Sequence, residues 1–376
     1  MNELKARLDA LRGSPKRKNL DARAIAALTA NPGCQRRSVL DAAGIDKQSL
    51  GTAVGFAMPA VQSEFALTRG TSFEAQVKAN GCAQLLTLLR ELLDLPHREV
   101  SYDDLETVGG NVTPTARHRH TARLLTNAAA LAEDAGTLFD HPLLELTIAG
   151  YPVHLEPDLI AFRFGGRFYV VEIKSFAIVD GQAPAASVAA AELQAAVYVY
   201  AMQEMLRAAG LDERLVAPEV VLVCPKDFTN RPTAVKVNIT NHLAAVRRQL
   251  SRMRDLHTIV DTMPAGLTLE VWADPEQRLN PRPAADLKAT LRTVEARYVP
   301  QCLNACEMAK FCRNEERGST AAMGRQVREE LGGLDTISEV VGLATGTRQP
   351  APDQVEQARL LQLAYRYRTE LLGGAA

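Results

Sequence analysis

The clearest pattern of apolar and polar positions lies mid-chain. Leu155-Glu156-Pro157-Asp158-Leu159-Ile160 and Val170-Val171-Glu172-Ile173-Lys174-Ser175 alternate or run apolar and β-branched around isolated charges, which predicts two adjacent strands joined at the turn Gly165-Gly166. On the second strand Glu172 and Lys174 are two apart, so a period of two places both on one face and Ile173 on the other. Around this hairpin, helical spacing covers the opening to about residue 30 with a break at Ser14-Pro15-Lys16-Arg17-Lys18. It returns at 38–43, 71–93, 114–135, 185–209, 242–260, 321–331, 334–343 and 353–372. Further strands are expected near 100–102 and at 143–148, 220–223 and 234–239, and a Pro-rich loop at 274–283. Strands followed by a long helix and another strand predict an α/β fold, a mixed central sheet flanked by helices with helical N- and C-terminal additions. The expected divisions are a helical segment over 1–30, the core over 31–315 and a helical extension over 316–376.

With 376 residues the chain is long enough to bury a sizeable core. Its formal net charge of -1 provides no overall field for nucleic acid, so any such contact must come from local basic patches. One candidate is Arg117, His118, Arg119, His120 and Arg123 at the start of the 114–135 helix, and another is Arg247, Arg248, Arg252 and Arg254, whose spacing wraps round their helix. A solvated face is the plainer reading of both. Six cysteines are too few for a disulfide scaffold, the first residues have no signal-peptide core, and no uninterrupted apolar run approaches a membrane span. A reducing cytoplasm is the expected location.

A charged pair on one face of an apolar strand needs a partner, because a buried carboxylate and ammonium are costly to desolvate. A hard divalent cation between Asp158 and Glu172, with the Ile173 carbonyl as a third oxygen, would meet that need as Mg²⁺ or Mn²⁺. Such an ion would supply an acidified water able to attack a phosphodiester, which Lys174 would orient or assist by neutralising developing charge. The alternative is an edge hairpin carrying a solvated salt bridge.

Other residues extend the pattern. In the helical run after the hairpin, Gln194 and Tyr198 are one turn apart and share a face. Before the hairpin, Gly70-Thr71-Ser72-Phe73-Glu74 opens a helical run with a carboxylate near its start, where surface charge is the bland alternative. In this order the segment resembles the PD-(D/E)xK nuclease superfamily, in particular its RecB-like branch. The resemblance covers about 34–312. It implies a restriction-endonuclease-like core, with Glu74, Asp158 and Glu172 as metal ligands, Lys174 as the catalytic lysine, and Gln194 and Tyr198 contacting the site and the DNA backbone.

Cys302-Leu303-Asn304-Ala305-Cys306 and then Cys312 cluster three thiols, which call for a fourth ligand. Cys34, followed by Gln35-Arg36-Arg37 upstream of the first nuclease motif, is similar in placement to the cysteine of iron-sulfur RecB-like nucleases. Those include the CRISPR-associated RecB-like exonucleases and the AddB nuclease domain, and the likeness implies a [4Fe-4S] cluster on Cys34, Cys302, Cys306 and Cys312. Structural zinc on the same four thiols stays open, while Cys82 and Cys224 read as buried small hydrophobes. Together these features predict a Mg- or Mn-dependent deoxyribonuclease acting on single-stranded or end-bearing DNA, an exonuclease before an endonuclease, in repair, CRISPR adaptation or phage defence. There is no phosphate-loop motif, so a separate helicase or a CRISPR or defence protein is the expected partner where unwinding is needed. The rival readings are a non-catalytic adaptor of the same fold and a zinc-stabilised DNA-binding protein.

Overall fold

Apolar residues spaced for helices, interrupted by strands and by turns rich in Gly, Asn and Asp, divide the chain into the elements of a computed structural model. The structure describes residues 2–59, 64–94, 100–106, 113–130, 137–164, 166–227, 229–276 and 280–373. In chain order these form α1 (Asn2–Arg12), α2 (Ala22–Leu28), α3 (Gln35–Ala43), α4 (Lys47–Ala53), α5 (Glu64–Leu93), β1 (Ser101–Asp104), α6 (Pro114–Ala130), β2 (Thr137–Asp140), β3 (Leu144–Ile148) and β4 (Tyr151–Leu155). There follow β5 (Leu159–Phe164), β6 (Arg167–Ile173), α7 (Ala185–Ala208), β7 (Glu219–Pro225), β8 (Pro232–Asn238), α8 (Thr240–Arg254) and α9 (Leu256–Thr262). The remaining helices are α10 (Ala284–Arg292), α11 (Ala309–Glu315), α12 (Arg325–Glu330), α13 (Ile337–Thr345) and α14 (Val355–Gly373). Two units result: one of residues 1–32, 38–45 and 60–266, the other of 33–37, 46–59 and 267–376.

The first unit is built on a mixed six-stranded sheet in the order β1-β2-β5-β6-β7-β8. β5 and β6 are the expected antiparallel hairpin, with Leu159 opposite Val171 and Ile160 opposite Val170. β6 pairs with β7 in parallel, and the connection between them runs through α7, because a parallel neighbour cannot be reached by a tight turn. The alternation of β6 holds: Val171 and Ile173 join Phe73, Val77, Leu85 and Leu89 of α5 in one buried cluster with Leu159, Val221 and Val223, whereas Glu172 belongs to the other face. Burying each large aliphatic side chain in such a layer is worth about 1.5–3 kcal/mol. α7 packs on β6 and β7, burying Ala195, Ala196, Val197, Val199, Ala201 and Met202. By length and composition it is also the one helix among the described residues that could cross a membrane, but half of that window is buried inside the protein and Glu192, Gln194, Gln203 and Glu204 interrupt its apolar run.

Three expectations about elements are corrected. Residues 144–148 do not join the central sheet: β3 pairs with β4 as a separate two-stranded hairpin, closed by Ala149 and Gly150, both at positive φ as a tight primed turn requires. The central sheet takes β1 and β2 instead. The 71–93 run is two helical pieces, since Ala79, Asn80, Gly81 and Cys82 are non-helical, with Asn80 and Gly81 in the left-handed region that these two residue types tolerate. The 242–260 run is likewise divided, into α8 and α9 at Asp255.

In the second unit, the tail packs as a helical hairpin. Leu334, Leu343 and Ala358 form a small buried cluster with Val340 and Leu361 against it, and Thr336 and Glu339 form a capping box at the start of α13. From Ala364 to Leu372 α14 is exposed, including Tyr365, Tyr367, Leu371 and Leu372.

Candidate metal centre

β5 and β6 deliver the acidic pair. Asp158 directly precedes β5, and its Oδ2 accepts the Ile173 amide N–H at 2.6 Å, which locks the carboxylate against the end of β6. Glu172, one residue earlier on β6, has no exposed surface at all. Lys174 follows the strand, its amide donating to the Val223 carbonyl at 2.8 Å, and its Nζ lies 2.5 Å from Glu172 Oε2 and 4.0 Å from Asp158 Oδ2. The ammonium thus forms a close ion pair, yet neither Glu172 oxygen accepts a hydrogen bond of good geometry. Burial, then the Asp158 charge, push the Glu172 carboxyl up to about 8. Asp158 is raised for the first of these reasons, and Lys174 is raised because the two carboxylates outweigh its desolvation.

On α7, Gln194 and Tyr198 meet as their spacing predicts, the Gln194 amide nitrogen 3.1 Å from the Tyr198 hydroxyl as donor. Tyr198 is buried, and burial followed by the Glu172 charge raises its phenol, so the pair adjoins the acidic face of β6. Ile173 is buried on the opposite face and reaches the site through its backbone.

Glu74 occupies a neighbouring network that sequence reasoning missed. Lys78, one turn along α5, places Nζ 2.6 Å from Glu74 Oε1, 2.7 Å from Asp140 Oδ1 and 3.1 Å from His141 Nε2. The Tyr102 hydroxyl donates to Asp140 Oδ2 at 2.5 Å, and Asp140 is nearly fully buried. Hydrogen bonding to His141, ahead of Lys78, lowers Glu74 to about 2. Asp140 also falls to about 2, its bonds to His141, Lys78 and Tyr102 overcoming the burial that opposes them. His141 rises to about 10 because Asp140 and Glu74 outweigh burial and the Lys78 charge. Asp104, Asp140 and His141 bring potential ligand atoms within 4.8 Å of one another, but the Lys78 ammonium already serves Asp140 and His141. Glu74 still acts electrostatically on both Asp158 and Glu172, and the His141 amide donates to the Asp158 carbonyl at 3.4 Å, so the two networks abut. The spacing of Glu74 and Lys78 was the available sequence signal; Asp140 and His141 gave none.

No family model, curated protein or solved structure matches this chain.

The basic cluster on α6 is structural in part. Arg117 donates to Glu156 at 2.7 Å and to the carbonyls of His141 and Leu105, while His118 bonds the Leu143 carbonyl at 2.9 Å. On α8, Arg247 donates to Gln203 at 2.7 Å.

The second unit holds Cys34, Cys302, Cys306 and Cys312, all reduced, with Cys306 the least buried. Cys34 and Cys306 both act electrostatically on Cys312, and Cys302 and Cys312 both act on Tyr298. Arg36 donates to the Cys312 sulfur at 3.4 Å and pairs with Glu315, and burial pushes the Cys312 thiol up to about 12. No three of these sulfurs lie within 4.8 Å of one another. Cys82 and Cys224 are fully buried, as expected of small hydrophobes.

Proposed function

We propose that this protein is a metal-dependent deoxyribonuclease with a restriction-endonuclease-like core of the RecB-like kind, acting on single-stranded or end-bearing DNA in a reducing cytoplasm. The observation that carries the reading is Glu172: a carboxylate with no exposed surface, both oxygens without a proper hydrogen bond, set beside Asp158 and Lys174. The Lys174 ammonium offsets part of the cost of that burial, and a divalent cation shared with Asp158 would offset more. Asp158 and Glu172 would hold Mg²⁺ or Mn²⁺, with the Ile173 carbonyl as a further oxygen and Glu74 within electrostatic reach. When bound, the cation supplies Lewis acidity and an acidified water.

The chain's own residues do the rest. The Ile173 N–H fixes Asp158, so its free oxygen keeps one direction. Lys174 offers a positive charge beside both carboxylates, where it neutralises charge building on the attacked phosphate and orients the nucleophile. Gln194 fixes the Tyr198 hydroxyl, which lines the same acidic face and positions the strand.

For the four cysteines we favour a [4Fe-4S] cluster over zinc. One tetrahedral zinc needs its sulfurs about 3.8 Å apart, given Zn–S bonds of about 2.3 Å. No three of the four sulfurs meet that spacing, and the preference for a cluster rests on the order of the cysteines along the chain, which resembles that of iron-sulfur RecB-like nucleases.

The test is Mn²⁺-dependent cleavage of labelled single-stranded DNA by the wild-type chain and by Asp158→Ala and Lys174→Ala. Cleavage in the first and at least a hundredfold loss in both variants is expected. Undiminished cleavage in either variant would remove the catalytic assignment.

A further inference from the structure

The loop that follows Lys174 bounds a cavity that the metal centre does not use. Arg69, Phe176, Asp180, Gln182 and Pro184 are among its lining residues, and it is a pocket of about 690 Å³ that lies open to solvent. The walls are tied in place. Arg69 donates to the Ser175 carbonyl at 2.6 Å, joining α5 to the loop. Val179 and Gln182 exchange backbone hydrogen bonds at 2.7 and 2.8 Å around Asp180-Gly181, and the Ile178 amide bonds the Pro225 carbonyl at the end of β7. Phe176 is partly exposed and makes no ring or cation–π contact among the described residues.

The chemistry of this lining is directional. Arg69 spends one donor on Ser175 and keeps others of its five N–H groups for an anion. Pro184 flanks the start of α7, whose first turn carries no acidic residue, so nothing there repels a phosphate. Asp180 is the one acid among the lining residues, and with Gln182 it suits the amino and carbonyl edge of a base rather than a phosphate. Phe176 supplies an aromatic face. Its Cα is two residues beyond Lys174, hence at most about 7 Å from that of the lysine.

We propose that this cavity is a nucleotide subsite. It takes the unpaired nucleotide adjacent to the scissile phosphate, its base on Phe176 with its edge toward Asp180 and Gln182, its phosphate on Arg69. The inference rests on the nuclease reading and deepens it: a base still paired in a duplex cannot enter, so the subsite selects single strands or frayed ends.

The full-length chain tests this by fluorescence anisotropy in EDTA, with a labelled oligothymidylate and a blunt duplex as probes, and by steady-state cleavage with Mn²⁺. Phe176→Ala is expected to weaken oligothymidylate binding about tenfold and to raise KM with kcat retained, while duplex binding changes less than twofold. Phe176→Trp should bind like wild type, and Arg69→Gln should lower the slope of log affinity against log salt by about one. Circular dichroism establishes that each variant is folded, and Phe176→Trp keeps the question answerable if the alanine variant is not. Equal losses on both probes, or wild-type binding by Phe176→Ala and Arg69→Gln alike, would overturn the subsite. Absence of binding and cleavage in the wild type itself would instead refute the nuclease reading on which it rests.

Discussion

Lys174 Nζ lies 2.5 Å from Oε2 of Glu172, and the glutamate has no surface in contact with solvent. Removing only the lysine strands a buried acid. Lys174→Met is therefore expected to destabilise the metal-free protein by up to about 3–5 kcal/mol, reduced to the extent that Glu172 takes up a proton. Chemical denaturation of the single variant and of Lys174→Met/Glu172→Gln measures this, and the double variant should recover most of the loss.

The raised Glu172 carboxyl makes stability depend on pH. An acid near 4.5 when unfolded and at about 8 when folded binds more protons in the native state between those values, so its contribution is complete below pH 4.5 and is lost as pH rises through 8. His141, raised from 6.5 to about 10, gives a loss of the same sign above pH 6.5. Glu74 and Asp140, lowered to about 2, add stability that falls away only in acid below about pH 4. Melting temperatures in EDTA from pH 5.5 to 8.5 should fall, and Glu172→Gln should flatten the part due to Glu172. An unchanged slope in that variant would contradict the shift.

Lys78 is a structural cation. Lys78→Met leaves Asp140 buried with one of its two charged neighbours gone and frees Glu74, so a loss of about 3 kcal/mol is expected, together with tighter metal binding, because a competing cation beside the carboxylates is removed. Denaturation and a Mn²⁺ titration read the two effects separately.

The hairpin and its acids were legible because their information is local. Alternation over six residues fixes which side of β6 Glu172 takes, and one helical turn fixes that Gln194 meets Tyr198. The Lys78 network was not legible, since Lys78 and His141 are 63 residues apart and come together only when the end of β2 approaches α5. The strand at 144–148 was recognised but misplaced, because alternation shows that a strand has two faces without naming its partner; here Ala149-Gly150 returns it on itself. Asn80-Gly81 broke a helix that apolar spacing alone would continue.

Cys306→Ser is expected to cost stability rather than chemistry, as the four cysteines and the carboxylates belong to different units. Anaerobically purified wild type should contain iron and sulfide in equal amounts and lose both in the variant, with a lower melting temperature. One equivalent of zinc and no iron would reject the cluster.

Tyr198→Phe deletes the acceptor of the Gln194 amide in a buried setting and should cost about 1 kcal/mol, with a higher KM for oligonucleotide. Thermal unfolding and steady-state cleavage check both.

Manganese binding followed by electron paramagnetic resonance probes the acidic pair most directly. The wild-type chain should immobilise Mn²⁺, and Glu172→Gln, folded to the same extent, should weaken that binding at least tenfold. Wild-type protein that leaves all the Mn²⁺ free, or a glutamine variant that binds it equally well, would contradict the metal centre.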